Sequence, residues 1–105
     1  MTELSLADGF AALNRGDLAA AGEACKQALA ANQKHVPAHF LVGLVALEGK
    51  QRQVAHEAFK SVVTLDRDHA AAWAHLAKLN VGEGRIAAAE SALREVRRIQ
   101  PSDPM

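Results

Sequence analysis

The sequence predicts an all-α protein, an α-solenoid of three antiparallel helix hairpins and six helices. Three observations predict it. The first is a period of 34 residues: Ala21, Ala55 and Ala89; Gly9, Gly43 and Ala77; Cys25, Phe59 and Leu93; Ala28, Val62 and Val96; Ala31, Leu65 and Ile99; His35 and His69. A fixed spacing of this size marks a stacked helical repeat. The second is composition: 50% of the 105 residues are hydrophobic, many of them alanine, the strongest helix former. The third is local patterning. Within each segment apolar residues recur at helical spacing, and short Gly-bearing turns alternate with polar loops between the segments.

In chain order, a first helix over residues about 3 to 14 directs Leu4, Ala7, Ala11 and Ala12 at its partner and sets Leu6, Phe10 and Leu13 on a second apolar stripe. Arg15-Gly16-Asp17 makes the turn, with Gly16 suited to a left-handed conformation and Asp17 suited to cap the next helix. Helix two, residues 18 to 31, carries Ala21, Cys25, Ala28 and Leu29 on one face. After a polar loop, helix three starts near Pro37, which a first helical turn tolerates, and ends at Glu48. The turn Gly49-Lys50-Gln51 places its glycine one position early relative to Gly16 and Gly84. Helix four, residues 53 to 65, turns Ala55, Phe59, Val62 and Val63 inward. Helix five, residues 70 to 81, carries Trp73, Leu76, Ala77 and Asn80. Helix six, residues 85 to 100, carries Ala89, Ala92, Leu93, Val96 and Ile99, and Pro101 and Pro104 stop it.

Composition excludes several roles. Twelve basic residues balance twelve acidic ones, so there is no bulk field to draw in nucleic acid or anionic lipid. The apolar run from Phe40 to Leu47 is too short to span a bilayer, and Met1–Asp8 lacks the basic start of a signal peptide. The expectation is a cytoplasmic protein with no nucleic-acid, membrane or small-molecule partner. A single cysteine, Cys25, rules out an internal disulfide and sits in the apolar stripe of helix two, where a buried thiol is inert. His35 and His39 are separated by Pro37, and His69 and His75 fall on different faces, so no metal site is expected. Arg85, Arg94, Arg97 and Arg98 make helix six locally basic, with Glu90 paired to Arg94 and Glu95 interleaved. No phosphate-binding Gly-rich loop, nucleophile–base set or carboxylate pair is present. We expect no cofactor and no enzymatic activity.

The chain resembles three tandem tetratricopeptide repeats, over about residues 2–101. The third copy carries the family pattern best: Trp73, Leu76, Ala77 in the glycine slot, Gly84, Ala89, Leu93 and Pro101. The second offers Gly43, Ala55, Phe59 and Val62, with His39 in the tryptophan slot and Arg67 in the proline slot. The first offers Gly9, Gly16, Ala21, Cys25 and Ala28, with Ser5 and Asp8 in slots that are usually apolar. The 105 residues are thus one domain, with repeats at about 2–35, 36–69 and 70–103. The resemblance implies a right-handed superhelix whose concave face is lined by the first helix of each hairpin. On that register the groove holds Glu3, Leu6, Phe10 and Leu13 from repeat one; Phe40, Leu44, Leu47 and Glu48 from repeat two; and Ala71, Ala74, Lys78 and Val81 from repeat three. The chaperone-binding subgroup grips a carboxylate with cations and asparagine at slots that here hold Leu6, Phe10, Leu41, Leu44, Ala71 and His75, so that clamp is missing.

So apolar a groove marks an interaction site. The partner-binding candidates are Leu6, Phe10, Leu13, Phe40, Leu44, Leu47, Ala74 and Lys78. The expected function is a protein-interaction or assembly scaffold. Its groove takes an amphipathic helix or extended peptide, a second copy in a homodimer, or a further helix of a longer chain. Helix six is expected to expose an apolar edge through Ala92, Val96 and Ile99. The alternative is a regulatory or oligomerisation segment of a larger enzyme, since the alanine-rich style also resembles arrays in bacterial repeat-containing sulfotransferases.

Overall fold

A computed structural model describes residues 5–101. They form six helices: α1 (Leu6–Asn14), α2 (Leu18–Ala31), α3 (Val36–Glu48), α4 (Arg52–Leu65), α5 (Ala70–Gly82) and α6 (Ile86–Ile99). There is no strand among the described residues. Each consecutive pair packs as a hairpin, and α3 and α5 each pack on the preceding hairpin. The result is an elongated stack, 50 × 26 × 26 Å, in which a hairpin leans only on its neighbours. No described helix is long and apolar enough to cross a membrane.

Local chemistry sets the helix starts. Ser5 and Asp8 form a reciprocal capping box that opens α1, so the helix begins at Leu6; Glu3 and Leu4 lie outside the described residues. The Asp17 carboxylate accepts from the Ala20 N–H and opens α2. The histidines of the 34-residue period do the same work: Nδ1 of His35 accepts from the Ala38 N–H, and Nδ1 of His69 from the Ala72 N–H, each at 3.2 Å. Both rings are thereby used in folding. A Ser or Asp cap such as those of α1 and α2 contributes about 1 kcal/mol to a helix.

The three hairpin turns share one backbone solution. Gly16 and Gly84 adopt φ of +80° and +76°, and the residue at the same slot in the middle repeat, Lys50, adopts +58°. The displaced Gly49 therefore does not serve the left-handed position. Lysine does, although that conformation costs a residue with a Cβ about 1 kcal/mol.

The interior is small and tightly fitted. Its largest fully buried side chains are Phe59, Leu41 and Val62, surrounded by alanines such as Ala21, Ala24, Ala38, Ala55 and Ala72. Gly43 is required by close approach, because a Cβ there would lie 2.6 Å from the Phe59 ring. Two expectations change in α1: Ala7 and Ala11 are exposed, and Gly9 with Ala12 forms the buried contact. The expected Glu90–Arg94 pair does not form among the described residues. Arg98 instead bonds Asp68 at 3.0 Å and Glu95 at 3.2 Å, and Arg67 approaches Glu95 at 3.6 Å. These exposed pairs contribute little individually. They do tie α6 to the loop between α4 and α5, where the Trp73 indole N–H also donates to the Arg67 carbonyl at 2.8 Å. In α6, Ala92 is buried, and the large exposed apolar residues are Ile86 and Leu93.

Candidate functional site

The first helix of each hairpin repeats a three-residue ridge: Leu6, Phe10 and Leu13 on α1; Phe40, Leu44 and Leu47 on α3; Ala74, Lys78 and Val81 on α5. The first six side chains are each half-buried, on helices that pack side by side. Phe40, Leu44 and Leu47 also rest against the core through their inner edges. Ala74 is half-buried, while Glu48, Ala71, Lys78 and Val81 are exposed. Leu41, which shares a clamp slot with His75, is wholly buried and contributes nothing to a surface.

The ridge changes character along the stack. In the slot of Phe10 and Leu44 the third repeat has Lys78, and in the slot of Leu6 and Phe40 it has Ala74. A six-residue greasy strip thus gives way to a smaller, cationic end. At the junction of the second and third hairpins the aromatic rings stack. Phe40 meets Phe59 edge-on with centroids 5.5 Å apart, and His75 lies parallel to Phe59 at 4.6 Å. Phe40 also sits 4.8 Å from His69 and 5.8 Å from His75. The two histidines expected on different faces therefore both lie near a single ring, His69 as the cap of α5 and His75 from within it. Burial, with the charges of Lys78 and His69, lowers the His75 pKa below its ordinary value of 6.5.

Beside this stack lies a recess of about 410 Å³ lined by Leu47, Lys50, Arg52, His75, Lys78 and Leu79. An Arg52 Nη donates to the Leu79 carbonyl at 3.4 Å. Its guanidinium covers Gly82, where a Cβ would collide with it. Sequence patterning alone missed Lys50, Arg52 and His75 as surface partners of Lys78. The available signal was comparison of repeat slots, in which these positions are glycine or aliphatic in other copies.

The opposite face carries two grooves built from equivalent slots. One of about 220 Å³ is apolar, with Cys25, Leu29, Val42, Val45 and Val54 among its lining. Burial pushes the Cys25 thiol up to about 11, so it stays protonated and unreactive near neutrality. The other, about 790 Å³, includes Lys60, Arg67, Trp73, Arg85 and Glu95.

Comparison with known proteins agrees with this architecture. The chain is 40% identical over 81 residues to the cellulose synthase operon protein C of Komagataeibacter xylinus, a match covering 76% of the chain and 6% of that protein. It thus spans a small fraction of the relative's length. The sequence profile of the tetratricopeptide repeat matches residues 46–105. Period, paired helices, left-handed turns and profile agree, and the chain belongs to the tetratricopeptide repeat family.

Proposed function

We propose that the protein is a non-catalytic interaction scaffold that holds an apolar peptide or amphipathic helix of a partner protein in the groove lined by α1, α3 and α5. Tetratricopeptide repeats are protein-interaction scaffolds in general. The finer reading rests on one observation: folding leaves Leu6, Phe10, Leu13, Phe40, Leu44 and Leu47 each half-buried, on two first helices, α1 and α3, that pack on each other. An apolar strip of this kind on adjacent helices favours an occupant that removes it from water, and helix-in-groove docking is the matching mode. A second copy of the chain is the competing occupant of the same strip.

Selection of a displayed random peptide library against the protein tests the proposal. Selected peptides should carry spaced apolar anchors, and Leu44→Gln should weaken their binding at least tenfold (about 1.4 kcal/mol). Peptides whose binding ignores Leu44→Gln would overturn the groove. Sedimentation of wild type and Leu44→Gln identifies self-association: a dimer that the substitution dissociates puts the second copy in place of the peptide.

A second reading, in which these repeats serve as a regulatory or assembly segment within a larger protein, is favoured by the similarity to a stretch amounting to 6% of a long relative. On that reading the groove's occupant lies in the same chain or assembly.

A further inference from the structure

We infer that the recess between the second and third hairpins is an anion pocket, which receives an aspartate or glutamate side chain of the segment held in the groove. The inference rests on the proposed groove function and adds the chemistry of one contact.

Four groups converge on the recess: Lys50 from the turn, Arg52 from the start of α4, and His75 and Lys78 from α5. Each stands where the other repeats have glycine or an apolar residue. Lys50 replaces Gly16 and Gly84; Arg52 replaces Leu18 and Ile86; His75 replaces Ala7 and Leu41; Lys78 replaces Phe10 and Leu44. Four independent slots therefore depart from the repeat pattern at one place in space. No acidic residue lines the recess. Among the described residues neither Lys50 nor Lys78 has an ion-pair partner.

The backbone supplies a second, separate observation. Lys50 holds the left-handed conformation that glycine holds in both sister turns. A glycine would relieve that strain, and Gly49 is its immediate neighbour. Strain kept at a position where a less strained residue was available points to a use for the side chain. Here the use is a cation at the mouth of the recess.

The walls narrow the occupant. Leu47 and Leu79 give the recess an apolar lining suited to an alkyl stem, and the cations gather around it for the carboxylate. One Arg52 Nη donates to the Leu79 carbonyl and the guanidinium lies over Gly82, which leaves its other N–H groups to face a ligand. A guanidinium and two ammonium groups lining one recess suit a carboxylate. Leu47 also belongs to the apolar strip, so an acidic residue in the recess sits next to an apolar anchor in the groove. The predicted ligand is an apolar segment with one acidic residue at its end over the third repeat.

Peptide selection tests this with charge-altered protein. The probe is the leading peptide recovered on wild type and its Glu→Gln or Asp→Asn counterpart. Wild-type selection should enrich an acidic residue at one fixed distance from the apolar anchors. Lys50→Glu/Lys78→Glu should weaken that peptide at least tenfold. Lys26→Glu/Lys60→Glu, the same charge change on the second helices, should weaken it less than twofold. Removing the peptide's carboxylate should cost affinity on wild type and should cost less, or restore affinity, on the Lys50→Glu/Lys78→Glu protein; circular dichroism confirms that each variant is folded. Absence of acidic enrichment, equal losses in both double variants, or independence of the two changes overturns the anion pocket. The failures are separable. Peptides that lose affinity with Leu44→Gln and ignore the Lys50→Glu/Lys78→Glu change leave the groove standing without the pocket. Acidic peptides coupled to Lys50 and Lys78 but indifferent to Leu44→Gln leave the pocket standing without the apolar groove. Recovery of no binder at all overturns both.

Discussion

The second and third hairpins use one blueprint with different fillings. Gly43 and Phe59 in the second correspond to Ala77 and Leu93 in the third. Phe59 is 0% exposed and Leu93 is 40% exposed. Within its own hairpin Phe59 fits onto Gly43; from the next hairpin His75 closes over its other side. Leu93 lacks that second cover among the described residues. The comparison teaches that burial in a stacked repeat belongs to the joint between hairpins. A slot's identity sets what it can fill; the neighbour decides whether it is filled.

The largest test of that comparison removes the two side chains separately. Phe59→Ala should lower unfolding free energy by about 4 kcal/mol, the range for a large ring taken from a closed core. Leu93→Ala should cost about 1 kcal/mol, in keeping with partial burial. Urea titrations monitored by helical signal give both numbers. Equal costs would show that the joint does not control burial. Such a loss at Phe59 is a large share of the stability a small domain commands.

A smaller effect sharpens the contrast at the turns. Lys50→Gly should raise stability by about 1 kcal/mol, because the middle turn takes the left-handed conformation that glycine adopts freely. Gly84→Ala should cost a similar amount, since its φ of +76° is equally unfavourable for a Cβ that meets nothing else nearby. A loss of stability in Lys50→Gly would mean that the lysine contributes more to folding than its backbone costs.

The smallest expected effect concerns pH and arises at the second–third joint. His75 binds a proton less readily in the folded protein than in the unfolded chain, because burial and then Lys78 and His69 disfavour the charged ring. Its neutral form therefore supports folding fully above the ordinary value of 6.5. That support is lost progressively as the pH falls below 6.5 toward the lowered folded value. His75→Gln should flatten this part of the stability–pH curve, as measured by thermal unfolding in a buffer series. An unchanged slope would show that His75 is not the group responsible.

Much of the fold was legible because repetition carries information twice. Ala21, Ala55 and Ala89, or Gly9, Gly43 and Ala77, identify a packing slot that no single copy would reveal. The helix boundaries moved by a few residues where a cap decided them: Ser5 with Asp8 starts α1 later than the apolar pattern suggests, and His35 starts α3 before Pro37. The strip of Leu6, Phe10, Leu13, Phe40, Leu44 and Leu47 was legible as one stripe per helix. The cations around the recess were not, because Lys50, Arg52 and Lys78 belong to three segments whose separate patterns are unremarkable.

By itself the sequence determined the period, the six helices, the small-residue contacts within hairpins and the stripe each first helix presents. These depend on interactions a few residues apart, or on a spacing that recurs. Only the tertiary structure decided that Leu41 is wholly buried while Leu44 is half-buried, that His69 and His75 share the Phe40 ring, and that three cations from separate elements meet beside Leu47. Those outcomes depend on how far one hairpin slides and tilts over the next. That geometry is set by many weak contacts acting together, and no local stretch of chain encodes it.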